Sequence, residues 1–230
     1  MSDTVILTLV TARSADDCKH CNRPENEHGL STYHICSHYD AIGWTNKSVL
    51  GLSIGGAYSY ADDRIHWFDS GLLEDVVQAW VREASLLVSF GGQALDLPLM
   101  EGLLRLQAQA ESLHRTADRL LSLSDRFRAL IARSYDLLVE IHKANGGRIA
   151  CALDVIGHAN GFGLSPKREE SAIQDWRLGN RAKVLGACTA HLYILKGLFD
   201  NVMKGEPLKN YEGPDLVLES PPDAREAGDS

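Results

Sequence analysis

The sequence predicts an α/β domain in which helices flank a mixed sheet. Three stretches carry this reading. A short β-branched run, VILTLVT, opens the chain at Val5 to Thr11. A hairpin pattern follows over residues 49–68, and a second buried-strand pattern, LLVSF at Leu86 to Phe90, comes after an amphipathic helix. A hairpin requires antiparallel pairing, and a strand–helix–strand unit requires a crossover, so the sheet combines both directions.

Each element has its own signal. Val5 to Thr11 is short and β-branched, which suits a buried strand. Val49 to Tyr60 reads as a second strand, in which Gly55 and Gly56 permit a bulge or close packing. Ala61-Asp62-Asp63 is turn chemistry, and Ile65 to Phe68 returns as the third strand. Ser70 is placed to cap a helix whose apolar face is Leu72, Leu73, Val76, Val77, Trp80 and Val81. Residues Leu97 to Arg133 form one long helix or a helical hairpin. Leu106, Leu113, Leu120, Leu121, Phe127, Leu130 and Ile131 lie along one side, and Arg115, Arg119, Arg126, Arg128 and Arg133 along the polar face. Further helices are expected over Asp136 to Asn145, Cys151 to Ala159, Ala172 to Leu178 and Arg181 to Met203.

Composition bounds the class. Of the 230 residues, 44% are apolar and 23% charged, close to ordinary globular usage. No run of about 18 apolar residues occurs, so neither a membrane span nor a membrane partner is expected, and a cytoplasmic location is. The net charge is −8, of which seven acids and two bases after Gly205 supply −5. A near-neutral body lends no support to nucleic-acid binding beyond a local basic patch. The segment 206–230 holds four of the seven prolines and reads as an acidic, mobile tail outside a domain covering 1–205.

The polar stretch 14–46 is too long for a simple connection and carries CKHCNRPENEHGLSTYHICSHYD. Cys18 and Cys21 form a Cys-x-x-Cys pair that can turn two thiolates towards one ion. Cys36 supplies a third thiolate, while His28, His34 and His38 compete to complete the tetrahedron. Four protein ligands leave no open position, so this zinc is expected to be structural. The remaining thiols, Cys151 and Cys188, sit in apolar surroundings and read as buried and free. The run resembles the small CxxCG-x-x-x-x-x-H…C knuckles of bacterial and phage proteins, with Asn22 in place of Gly, and this resemblance selects Cys18, Cys21, His28 and Cys36.

The wider chain, from Val5 to about Met203 apart from this insertion, resembles the ribonuclease H-like 3′–5′ exonucleases of the DEDD class. The stretches that carry the likeness are SFGGQALDLPLM, RSYDLLVEIHKANGGR, ALDVIGHANGFGLSPK, AIQDWRLG and CTAHLYILKGLF. The resemblance implies a ribonuclease H-like sheet and a bacterial cell, or a phage-infected one, as the setting. It also implies a chemistry in which clustered carboxylates hold two divalent cations about 4 Å apart. The family's first strand carries Asp-x-Glu, where this chain has Thr8 and Val10. Its second motif has Asn and then Asp five residues later, where this chain has Gly91 and Asp96. Its third motif supplies a Tyr and the last metal-binding Asp, where this chain has Ala187 and His191.

Three of four metal acids are thus replaced, and no Mg²⁺ or Mn²⁺ pair is expected. The expected function is a catalytically inactive exonuclease-like scaffold. Lys167, Arg168, Arg177, Arg181 and Lys183 are the candidate phosphate contacts, and the zinc insertion or the 97–133 helix are the candidate surfaces for a protein partner. The alternative is a divergent exonuclease for single-stranded DNA or RNA using Asp96, Asp136, Asp154 and His191. A third possibility is a regulator that binds a host or replication protein without touching nucleic acid. For the insertion, elemental analysis of purified protein should return about one zinc per chain. Folded protein free of zinc would reject that assignment.

Overall fold

The β-branched run at the start of the chain, Thr4–Thr11 (β1), is the central strand of a five-stranded sheet. The computed structural model describes residues 4–11, 50–147, 152–163, 172–210 and 213–221. β2 (Leu52–Ser59) lies antiparallel to β1, and β3 (Arg64–Phe68) antiparallel to β2, as the hairpin pattern requires. On the other side of β1, β4 (Leu86–Ser89) is parallel to it, and the two-residue β5 (Tyr135–Asp136) is parallel to β4. The order is β3-β2-β1-β4-β5, a mixed sheet flanked by helices, as expected.

Alternation along β1 divides the interior in two. Val5 and Leu7 face a core made with α1 (Leu73–Glu83), α2 (Asp96–Ala110) and α3 (His114–Ile131). Ile6 faces the opposite core, built with α4 (Leu137–Ala144), α5 (Leu153–Ala159) and α7 (Arg181–Met203). Both faces of β1 are therefore dry, which is why its sequence is almost continuously apolar. A short α6 (Ala172–Arg177) precedes α7. Gly55 and Gly56 serve close packing rather than a bulge. A Cβ at Gly55 would lie 2.3 Å from the Phe68 ring, and one at Gly56 would lie 2.7 Å from Trp67. The irregularity in the β1–β2 register falls instead between Val10 and Thr11.

Several expectations are corrected. The turn ahead of α1 is held by Asp69, whose Oδ1 accepts from Gly71 N at 2.8 Å and Leu72 N at 3.3 Å, while the N-cap position is Leu72 and Ser70 provides no side-chain cap. Of the two readings of residues 97–133 the helical hairpin holds, its two helices separated where Glu111 Oε1 accepts from Leu113 N at 3.2 Å. Leu120, Phe127 and Leu130 are buried, but Leu106, Leu113 and Leu121 are exposed, so the apolar stripe was not one continuous face. Two arginines of the polar face are tied to the fold itself, Arg119 to Glu74 at 2.8 Å and Arg128 to Glu101.

The domain also does not stop at residue 205. Leu208 and Leu216 pair through both backbone groups and are 0% and 4% exposed, so the chain after α7 completes the second core. Tyr135 donates its hydroxyl to Glu219 O at 2.9 Å, and Ser220 Oγ donates to Val202 O at 3.2 Å. Asn160 exchanges two hydrogen bonds with the Lys209 backbone, at 2.8 and 3.0 Å. Burying two leucines contributes several kcal/mol, about 2 kcal/mol each, which offsets the ordering of a proline-rich strap. The proposed insertion at 14–46, with Cys18, Cys21, His28, His34, Cys36 and His38, lies outside the described residues. So do Cys151, Lys167 and Arg168. No described helix is long and apolar enough to cross a membrane.

Candidate functional site

Four of the positions singled out by the family resemblance lie on two packed elements, Thr8 and Val10 towards the carboxyl end of β1 and Ala187 and His191 on α7. Thr8 pairs with Gly56, whose missing side chain leaves room for Leu192 of α7, 3.0 Å from where a Cβ would stand. Two residues on, Val10 points to the same face. It is 6% exposed and packs with Val184 (1%) and Cys188 (4%), and Ile54, Trp67, Ala172, Ile173 and Trp176 close around them. Cys188 is a buried thiol outside any disulfide, as its surroundings in the sequence indicated. Ala187 and His191 stand one helical turn apart on α7, half-buried beside this cluster.

Val10, one of the two β1 positions where the resemblance would put a carboxylate, lies in this small apolar cluster, and Thr8 is half-buried outside it. A buried carboxylate without partners costs several kcal/mol, and a valine at the same point gains about 2 kcal/mol from burial. The donors that remain do not suit a pair of hard cations. Thr8 offers a hydroxyl and His191 a nitrogen, while Val10 and Ala187 offer nothing. Among the described residues, no three His, Cys, Asp or Glu side chains form a group able to hold a metal ion.

Asp96 begins α2 just beyond β4, at the same end of the sheet. The turn before it is held by Asp136, which is buried. Its Oδ1 accepts from Gly91 N at 2.8 Å and Leu138 N at 3.1 Å, and its Oδ2 accepts from Gln93 N at 2.9 Å. Gly91 has φ +74°, a conformation that glycine takes without strain. Gln93 reinforces the turn by donating to Ser134 O at 2.8 Å and Ser134 Oγ at 3.1 Å. Asp136 is thus a structural anchor and an N-cap of α4, with its oxygens already engaged. Asp154 likewise turns to its own helix, accepting from Val155 N at 2.9 Å.

The surroundings of Asp96 are unusual for an acid. Ser89, the register partner of Asp136, is fully buried, and its Oγ has no hydrogen-bond partner among the described residues. A Cβ on Gly92 would meet Ser89 at 2.5 Å and the Asp96 Cβ at 3.6 Å, so the three residues converge. Burial, with the nearby Asp136 charge adding to it, pushes the Asp96 carboxyl up to about 7. Sequence reasoning found Asp96 but missed Ser89. The visible signal for Ser89 was a lone hydroxyl in the buried strand LLVSF.

Of the candidate phosphate contacts, Arg177, Arg181 and Lys183 come together where α6 meets α7. The Arg181 guanidinium stacks over Trp176 at 3.4 Å from the ring centre. Lys183 pairs with buried Asp175 at 2.8 Å, and Asn180 Nδ2 donates to the same carboxylate at 3.0 Å. These two bonds hold the Asp175 carboxyl below its ordinary range. Arg181 is therefore fixed as a flat, exposed cation, whereas Lys183 is committed to the helix junction.

Compared with known proteins, the chain matches no protein-family model and no curated protein.

The Asp96 environment makes a pH-dependent prediction. The native carboxyl titrates at about 7, against an ordinary value of 3.8 in an unfolded chain. Between these values the native state holds a proton that the unfolded state has released. Stability therefore falls as pH rises from about 4 to about 7 and levels off above. Asp96→Asn removes this penalty. Its denaturation midpoint should match wild type at pH 4 and exceed it at pH 8, by at most about 4 kcal/mol in stability, and by less because Asp96 keeps some contact with solvent. A gap that is the same at both pH values would contradict the assignment.

Proposed function

We propose that the protein is a catalytically inactive, exonuclease-like binding scaffold of ribonuclease H-like architecture. The mixed sheet with helices on both faces is compatible with that architecture. The observation that carries the loss of catalysis is the apolar cluster of Val10, Val184 and Cys188. Two-metal hydrolysis needs several hard oxygen ligands and a water poised between them. Here the one acid at a position the resemblance assigns to metal, Asp96, is half-buried beside Gly92 and Ser89, and Asp136 and Asp154 are bonded to backbone N–H groups.

What such a scaffold binds is nucleic acid or protein. For nucleic acid, the Arg181–Trp176 stack supports a contact at the α6–α7 corner, with Arg177, and with Lys167 and Arg168 in the sequence just before α6. For a protein partner, the zinc-knuckle-like insertion and the α2–α3 hairpin are the added surfaces, and Leu106, Leu113 and Leu121 of that hairpin are exposed.

Incubation with end-labelled single-stranded DNA or RNA and Mg²⁺ or Mn²⁺ should leave the label at full length. A gel shift on the same substrates reads binding, and Arg181→Ala should weaken any complex by about ten-fold if the corner grips phosphate. Metal-dependent shortening that disappears in Asp96→Ala would overturn the scaffold reading in favour of a divergent exonuclease.

A further inference from the structure

At the opposite end of the sheet, and on its other face, a cleft of 740 Å³ opens between α1 and the β2–β3 turn. Its floor is apolar, formed by Val76, Ala79 and Trp80 of α1 beside the start of β1. Its rim is acidic. Asp75 and Glu83 stand on the α1 wall, and Asp62 faces them from the turn. Asp75 has no ion-pair partner among the described residues. Glu83 accepts from Arg82 Nε at 3.0 Å, and Asp62 lies 2.8 Å from His66 Nε2, both on the exposed surface.

Spacing decides what kind of occupant this suits. Asp75 and Glu83 are eight residues apart on one helix face, so their backbones lie about 12 Å apart along the axis. Ala79, midway between them, keeps the wall low. A small amine would reach one carboxylate and leave the other behind. A peptide of about two helical turns, or about four extended residues, spans both. Phosphates are repelled by such a rim, so a nucleic acid does not belong here.

We propose that this cleft receives a basic, amphipathic peptide segment of a partner protein, with its apolar side chains against Trp80 and Ala79 and its cations at Asp75 and Glu83. This goes beyond the scaffold reading and uses none of the residues near Val10 or Asp96. The test is fluorescence anisotropy at low salt with the full chain and a short fluorescein-labelled amphipathic leucine–lysine peptide. A leucine–glutamate peptide of the same pattern is the control. The lysine peptide should bind and the glutamate peptide should not. The double variant Asp75→Lys, Glu83→Lys should weaken binding by about ten-fold or more, and Ala79→Trp, which fills the cleft, should do the same. If Ala79→Trp fails to fold, the rim reversal alone decides.

Three results would overturn the proposal. The lysine peptide could fail to bind. It could bind both variants as well as wild type, as a general attraction to a chain of net charge −8 would produce. Binding could also arise only after removal of Met1 to Asp3, which would give the cleft to the chain's own first residues.

Discussion

The burial of β1 on both faces constrains everything else in this fold. A central strand covered by α1–α3 on one side and by α7 on the other has no wet position along most of its length. Its side chains are therefore selected for dryness, and the choice at Val10 follows the same rule as the choice at Ile6 or Leu7. A nuclease of the family that the sequence resembles breaks this rule at the carboxyl end of the strand. It tolerates two buried acids there because metal ions compensate their charge. In this chain the compensation is unnecessary, because valine meets valine and cysteine across the sheet–helix interface.

The acids that remain take their meaning from that packing. Asp136 organises a turn and Asp154 opens a helix, and neither needs an ion to be satisfied. Asp96 differs, since it is held beside an unpartnered serine hydroxyl and an anchored carboxylate. It marks a place where the fold carries an electrostatic cost without an evident partner among the described residues. Its titration tells which charge state the fold prefers.

Much of the architecture was legible in the residues. The last helix has the limits its sequence indicated, Arg181 and Met203, as a long apolar-rich run without proline that stops short of Gly205 would. The strands were legible as short β-branched or apolar runs between turn residues. Local chemistry misled where two neighbours could do the same task, as with Asp69 and Ser70 ahead of α1. The docking of Leu208, Leu216 and Leu218 was invisible, since these residues sit among prolines and acids with no period and find their partners only across the fold. The apolar cluster itself was half visible. Val10 was visible as an apolar residue in the first strand, but only tertiary packing brings Trp176, Val184 and Cys188 to it.

Whether the carboxyl end of β1 can gather metal is read from where ions sit. Anomalous diffraction from crystals grown with manganese reports every ordered ion at the carboxyl end of β1. No ion pair is expected there, with Val10 still packed on Val184 and Cys188. Two manganese ions about 4 Å apart beside Thr8, Asp96 and His191 would contradict it.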